Sequence, residues 1–276
     1  MTRESWLEAH PYLATVARVR REIDEAVAVA APPLPAPADW DEYAEDFFTG
    51  VPFLTSAARV DLRPAGWAVM ATFDSLSIDA PDATPDRVTE WLLGDDTWQP
   101  KDGGLLRTVG WISLAASLRP LVEAFNGWRD DDKWLRRYCP CCGSLPAMAQ
   151  LAGDEPARMR VLTCGRCATQ WRYGRTMCPF CESDSQKLMT LAIEGESGLR
   201  VDYCESCQGY LKTYAGQGDE AVLLADWTSL HLDFVARDRG LKRLAVSLYE
   251  LEVGEEEVRK VSVQDHPRLS NALDLL

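Results

Sequence analysis

Apolar positions recur at helical spacing near the start of the chain. Trp6, Leu7, His10, Leu13, Ala14, Val16 and Ala17 form one stripe, with Arg18, Arg20, Arg21, Glu22 and Asp24 largely off it. This pattern predicts a helix over residues 5–30. The run from Ala31 to Pro37 carries four prolines and cannot continue it. Asp39 then caps a short helix bearing Tyr43, Phe47 and Phe48. Prolines and glycines break the pattern over 49–85. A short helix follows Pro85 and Asp86 through Leu93. A longer apolar helix starts near Gly104, and Pro120 is expected to kink or split it before Phe125. The first ~135 residues therefore predict an all-helical domain around one shared core.

The texture changes at Tyr138, where short alternating stretches replace helical periodicity. Residues 147–151 and 158–162 flank Gly153-Asp-Glu-Pro156, and residues 187–193 and 199–203 flank Glu194-Gly-Glu-Ser-Gly198. Each set reads as a hairpin. Helical spacing returns after Gly218, with Leu223, Trp227, Leu230 and Phe234 on one face of a helix ending near Gly240. Residues 241–276 are locally acidic through Glu250, Glu252, Glu255, Glu256 and Glu257, and fit a solvated hairpin, a helix or a tail.

The two hairpins sit inside a cysteine repeat. Eight of the nine cysteines form four Cys-x-x-Cys pairs: Cys139/Cys142 with Cys164/Cys167, then Cys178/Cys181 with Cys204/Cys207. The second set follows the first by 39 or 40 residues. Two such turns about twenty residues apart build one tetrahedral four-thiolate site, because each turn chelates with two sulfurs. A ribbon this small buries little apolar surface, and a bound metal supplies the missing stability. Four thiolates suit zinc or iron alike, so spacing leaves the metal open. The residue after the second cysteine is Gly143 in the first turn but Ala168, Glu182 and Gln208 in the others, which predicts a less regular turn or a strained residue there. Cys141 is expected to be a bystander inside the first turn.

Composition removes several function classes. The chain has 276 residues and a formal net charge of −14, which disfavours nucleic acid and anionic membranes as partners. Within 139–216 the side-chain charges cancel, eight against eight. Arg158, Arg160, Arg172 and Arg175, beside Trp171 and Tyr173, read as solvated strand faces or as a docking strip for a protein. The N-terminus lacks a basic stretch followed by an apolar one, and no apolar run reaches the ~20 residues of a membrane span. A cytoplasmic location is expected, where paired cysteines bind metal rather than form disulfides. No phosphate loop or nucleophile elbow is present, and a four-thiolate site leaves no open ligand position, so no catalytic residue is assigned and the chain is not expected to be an enzyme. Of the three histidines, His10, His231 and His266, His231 is expected to be an ordinary surface or boundary residue.

The order of words from Tyr138 to Gly240 resembles the bacterial formate dehydrogenase accessory protein family, FdhE. The resemblance rests on Cys139-Pro-Cys-Cys-Gly-Ser-Leu-Pro146, Arg160-Val-Leu-Thr-Cys164, Cys167-Ala-Thr-Gln-Trp171, Arg175-Thr-Met-Cys178-Pro-Phe-Cys181, Tyr203-Cys-Glu-Ser-Cys207, Tyr210-Leu-Lys-Thr213 and the helix Ala225–Asp233. Gln170 and the segment from Leu241 on depart from it. Periodicity, the cysteine repeat and the resemblance together predict an α+β multidomain chain: an all-helical N-terminal domain (1–137), two tandem rubredoxin-like or zinc-ribbon modules (138–176 and 177–217), and a C-terminal helix and tail (218–276). The resemblance implies that Cys139, Cys142, Cys164, Cys167, Cys178, Cys181, Cys204 and Cys207 ligate two metal ions, with iron favoured and zinc possible. It also implies a cytoplasmic chaperone that binds the formate dehydrogenase catalytic subunit during maturation. The alternatives are a rubredoxin-like electron carrier and a zinc-ribbon interaction module with another partner.

Overall fold

The computed structural model describes residues 2–249, apart from 38, 57–59, 96, 155–156, 197, 217–220 and 246. The acidic segment containing Glu250–Glu257 lies outside the described residues. The chain is mixed helix and sheet. Eight helices, α1 (Arg3–Ala9), α2 (Ala14–Ala30), α3 (Asp41–Thr49), α4 (Arg63–Ser75), α5 (Pro85–Leu93), α6 (Gly103–Trp128), α7 (Ala221–Leu224) and α8 (Leu230–Asp238), bracket six strands among the described residues. The strands are β1 (Pro146–Ala152), β2 (Met159–Cys164), β3 (Gln170–Arg172), β4 (Leu188–Ala192), β5 (Leu199–Cys204) and β6 (Tyr210–Tyr214).

Several helix boundaries differ from the sequence expectation for local reasons. The helix expected over 5–30 is broken at His10 and Pro11, where one 3-10 turn separates α1 from α2. Asp39 stands one residue before the cap of α3, yet its carboxylate accepts the Asp41 N–H at 2.9 Å. Pro120 sits inside α6 without splitting it. The stretch 49–85 holds an unexpected helix, α4. Its Pro64 occupies the first turn, where a missing N–H costs no hydrogen bond. Its Gly66 lies against the Pro85 backbone, where an added Cβ would fall within 2.4 Å of a carbonyl oxygen. The helix expected through Leu223 and Phe234 is interrupted: α7 and α8 are joined by an extended Ala225 and a 3-10 turn at Asp226–Ser229.

The packing divides the chain into two compact units that cut across the boundaries at 137, 176 and 217. The first takes the residues up to Val19, Leu145–Thr163, and the chain from Tyr173 on. Its strands run in the order β2-β1-β6-β5-β4. β4, β5 and β6 form an antiparallel meander, and β6 pairs in parallel with β1 through Met148↔Lys212. Trp6, Leu13, Val16 and Ala17 bury their stripe against Leu199, Val201, Tyr210, Leu223, Trp227 and Leu232. The Trp6 indole also donates to the Thr228 carbonyl at 3.0 Å. The N-terminal stripe therefore joins the core of the sheet unit, not a core shared by the first 135 residues.

The second unit comprises Arg20–Ser144 and Cys164–Arg172. Its helices enclose an aromatic cluster of Trp40, Tyr43, Phe47, Phe53, Phe125 and Trp134, with neighbouring ring centroids 5.0–6.3 Å apart. Rings at these separations add edge and stacking attraction to their burial.

Candidate metal centres

The four Cys-x-x-Cys turns share one backbone design. The N–H of each first cysteine donates to the carbonyl five residues on: Cys139 to Ser144, Cys164 to Thr169, Cys178 to Ser183 and Cys204 to Gly209, at 2.8–2.9 Å. The residue after each second cysteine is left-handed: Gly143 at φ 77°, Ala168 at 59°, Glu182 at 60° and Gln208 at 58°. The turns are therefore regular, and the strained conformation is imposed on three non-glycine residues. Gly209 serves a different need, since a Cβ there would lie 3.1 Å from the Cys207 sulfur and 2.6 Å from Leu244.

These turns bring the sulfurs together in two groups, Cys139, Cys142, Cys164 and Cys167, and Cys178, Cys181, Cys204 and Cys207. Close sulfur pairs are 3.4–3.6 Å apart in the first group and 3.7–3.8 Å in the second. A tetrahedral ion with metal–sulfur bonds of ~2.3 Å needs sulfurs ~3.8 Å apart, so both groups fit one ion each. Backbone N–H groups of Cys141, Arg166, Phe180 and Gly209 point at cysteine sulfurs at 3.4 Å, which stabilises thiolate charge.

The electrostatics of the sulfur groups agrees. Burial pushes the Cys139 and Cys164 thiols well above their ordinary range. Burial opposes Cys167 as well, but hydrogen bonds from Cys139, Cys141, Cys142 and Cys164 outweigh it and hold Cys167 low. In the second group burial drives Cys178 up to about 12. Cys181 falls to about 6: burial opposes this, and hydrogen bonds from Ser183 and neighbouring thiols prevail. Four converging thiols cannot all ionise alone, and a divalent cation resolves the repulsion.

The surroundings of the two clusters differ. All four cysteines of the first are buried. Its leading turn is tied into the aromatic unit, with Phe53 N–H donating to the Pro140 carbonyl at 2.9 Å and Leu54 N–H to that of Cys141 at 2.8 Å. The Trp134 indole donates to the Tyr138 carbonyl, and the Tyr138 hydroxyl to that of Gly50, at 2.9 and 2.7 Å. Cys141 is fully buried but stands outside the four-sulfur group; its backbone carries the tie to Leu54. In the second cluster Cys181 is exposed and Cys207 half-buried. A groove of about 490 Å³ opens beside it, lined by Arg160, Arg175, Phe180, Met189, Arg200 and Tyr203 among others.

Of the four arginines singled out in the sequence, Arg172 and Arg175 are exposed, Arg158 is half-buried and Arg160 is buried. Arg160 is 7% exposed and its guanidinium donates to the Gly174 and Met177 carbonyls, while Trp171 and Tyr173 are buried. His231 is buried too, against Glu196.

Sequence reasoning passed over a buried ion network in the first unit. Lys212, 1% exposed, lies 2.6 Å from Asp226 and 2.7 Å from Asp233, and Arg243 reaches both carboxylates at 2.7 and 2.5 Å. Burial pushes Asp226 up, but Arg243 and Lys212 outweigh it and hold the carboxyl well below the usual carboxylate range. Two cations face two anions, so the group is balanced and fixes the segment after Gly240 to β6 and α8. The signal was present in Tyr210-Leu-Lys-Thr213, where a lysine sits in an otherwise apolar strand.

Comparison with known proteins places this arrangement. The family model for the FdhE central domain matches residues 138–175. A protein FdhE homolog of Stutzerimonas stutzeri is 37% identical over 246 residues, covering 79% of this chain and 76% of that protein. Protein FdhE of Escherichia coli is 31% identical over 115 residues, 41% of this chain and 37% of that one. The crystal structure of the FdhE protein from Pseudomonas aeruginosa shares the fold, with a TM-score of 0.51 at 24% identity, over 87% of this chain and 88% of that one.

Proposed function

The chain belongs to the FdhE family, and on that premise we propose that it is a formate dehydrogenase accessory protein that binds the catalytic subunit during its maturation. The observation that carries this reading is the 37% identity over 79% of the chain, which extends well beyond the cysteine motifs. The role is that of a cytoplasmic, non-enzymatic chaperone. The eight cysteines hold two ions, and both sites are saturated by protein ligands, which suits shaping a surface better than turning over a substrate. Iron is the favoured ion and zinc the alternative. Among the described residues no helix is long and apolar enough to cross a membrane. The arginine-lined groove beside the second cluster is a concave surface where a protein segment can seat.

The test is genetic and biochemical. A strain lacking this gene is expected to lose formate dehydrogenase activity and to regain it from a plasmid copy. The tagged protein is expected to co-purify with the catalytic subunit. Normal activity in the deletion strain with every electron acceptor would overturn the reading.

A second reading, a rubredoxin-like electron carrier, is favoured by one observation: Cys181 and Cys207 bring the second cluster to the surface, where electron exchange needs it. It requires iron there that cycles reversibly, seen as thiolate-to-iron absorption bleached by reductant and restored by air.

A further inference from the structure

Among the described residues a third group of ligand-type side chains converges away from the cysteines: His10, Glu196 and His231. They come from the end of α1, the turn between β4 and β5, and α8, all within the first unit. Nε2 of His10 lies 2.8 Å from Oε1 of Glu196, and Nε2 of His231 lies 2.7 Å from the same oxygen. The three side chains are 12%, 8% and 8% exposed in the order His10, Glu196, His231.

The polar partners of His10 fix where its hydrogen sits. Nδ1 of His10 is 2.9 Å from the Trp6 carbonyl oxygen. A carbonyl only accepts, so Nδ1 carries a hydrogen. Neutral His10 then points the lone pair of Nε2 at a carboxylate oxygen, which also brings only lone pairs. Two acceptors this close need a cation, a proton or a metal, between or beside them. The Nε2 of His231 approaches the same oxygen at 2.7 Å without the alignment of a hydrogen bond, and neither of its ring nitrogens has an aligned partner. An oxygen offset from the ring axis is where a second ligand of a shared ion sits. The Trp6 carbonyl on Nδ1 is the kind of partner that orients a metal-binding imidazole. Trp6 stacks on the His10 ring at 3.8 Å, and Tyr12 packs edge-on against both imidazoles at 5.7 and 5.6 Å, fixing their orientation.

We propose that His10, Glu196 and His231 form a third metal site that holds one divalent first-row transition ion, such as zinc, through two imidazole nitrogens and one carboxylate oxygen. Two nitrogens and an oxygen suit such an ion better than calcium or magnesium, which take all-oxygen shells. Three protein ligands leave coordination positions open, unlike the cysteine clusters. The ion ties the N-terminal segment to the β4–β5 turn and to α8, the first of which lies far from the other two in the sequence. The proposal stands independently of the accessory role.

The test uses the full-length protein with its cysteine sites already loaded, to which zinc or cobalt(II) is added before desalting and elemental analysis. The wild type is expected to retain one ion beyond those held by the eight cysteines. With cobalt, that ion is expected to show ligand-field bands without thiolate charge transfer. Glu196→Gln keeps size and hydrogen-bonding capacity, and is expected to weaken the extra ion at least ~10-fold while leaving the cysteine-bound ions in place. His231→Ala is expected to do the same. Absence of an extra ion in the wild type, a thiolate spectrum for it, or its undiminished retention in Glu196→Gln would overturn the proposal.

Discussion

The two four-cysteine clusters are near copies in backbone and opposites in setting. Both use the same turns and left-handed residues. The first is sealed, with all four sulfurs buried and its leading turn hydrogen-bonded to Phe53 and Leu54. The second sits at a surface, with Cys181 exposed and Cys207 half-buried. A duplicated motif has thus been placed once inside a core and once beside a groove. Local chemistry makes both competent for metal; burial decides what each can do with it. The sealed cluster is suited to holding a unit together, and the open one to meeting a partner or exchanging electrons.

The largest test of this contrast removes one ligand from each cluster. Cys164→Ser is expected to cost a large share of the ~10 kcal/mol that a structural ion supplies, and to abolish the near-UV circular dichroism of the aromatic unit. Cys181→Ser should lose its ion yet leave that signal intact. Equal damage from both would erase the distinction.

Next in size is the ion network, which anchors the unit carrying the open cluster. Lys212→Met leaves two buried carboxylates facing Arg243 alone and is expected to destabilise that unit by ~3–5 kcal/mol in denaturant titration, sparing the aromatic unit. The same network responds to acid. The Asp226 carboxyl is held low in the folded chain, so its contribution is complete above the ordinary carboxylate range and is lost as pH falls below it. Melts recorded from pH 6 downward should show this unit weakening first, and Lys212→Met should flatten the dependence.

Access to the ions gives a smaller effect. A chelator is expected to strip the second cluster at least ~10-fold faster than the first, a difference of ~1.4 kcal/mol in barrier. Matching rates would mean that burial does not control exchange. The smallest effects lie in the left-handed residues. Ala168→Gly and Gln208→Gly should each add ~0.5–1 kcal/mol by relieving a positive φ. Gly143→Ala should act in the opposite direction, because its Cβ would also meet Pro52 at 3.2 Å.

Much of the molecule was legible in the chain itself. Cysteine spacing named both sulfur groups, because a four-residue turn presents its two thiols together whatever surrounds it. Alternation between turn residues located the β1–β2 and β4–β5 hairpins, α5 followed from its Pro85-Asp86 start, and α6 from its apolar residues. The helix α4 was missed because Pro64 and Gly66 read as breakers; one is tolerated at a helix start and the other is demanded by a neighbour 19 residues away. His231 was misjudged because its partners, at positions 10 and 196, are distant in sequence.

The sequence alone determined the local geometry: four metal-type turns, two hairpins, and the helices whose periodicity repeats every few residues. Only the tertiary structure decided where each piece is buried. It sent the N-terminal stripe to the sheet unit, closed one cluster and opened the other, and gathered Lys212, Asp226, Asp233 and Arg243 into one balanced group. The reason is physical. Turn and helix propensities act over a few bonds, whereas burial and ion pairing depend on residues that the chain brings together only when it folds.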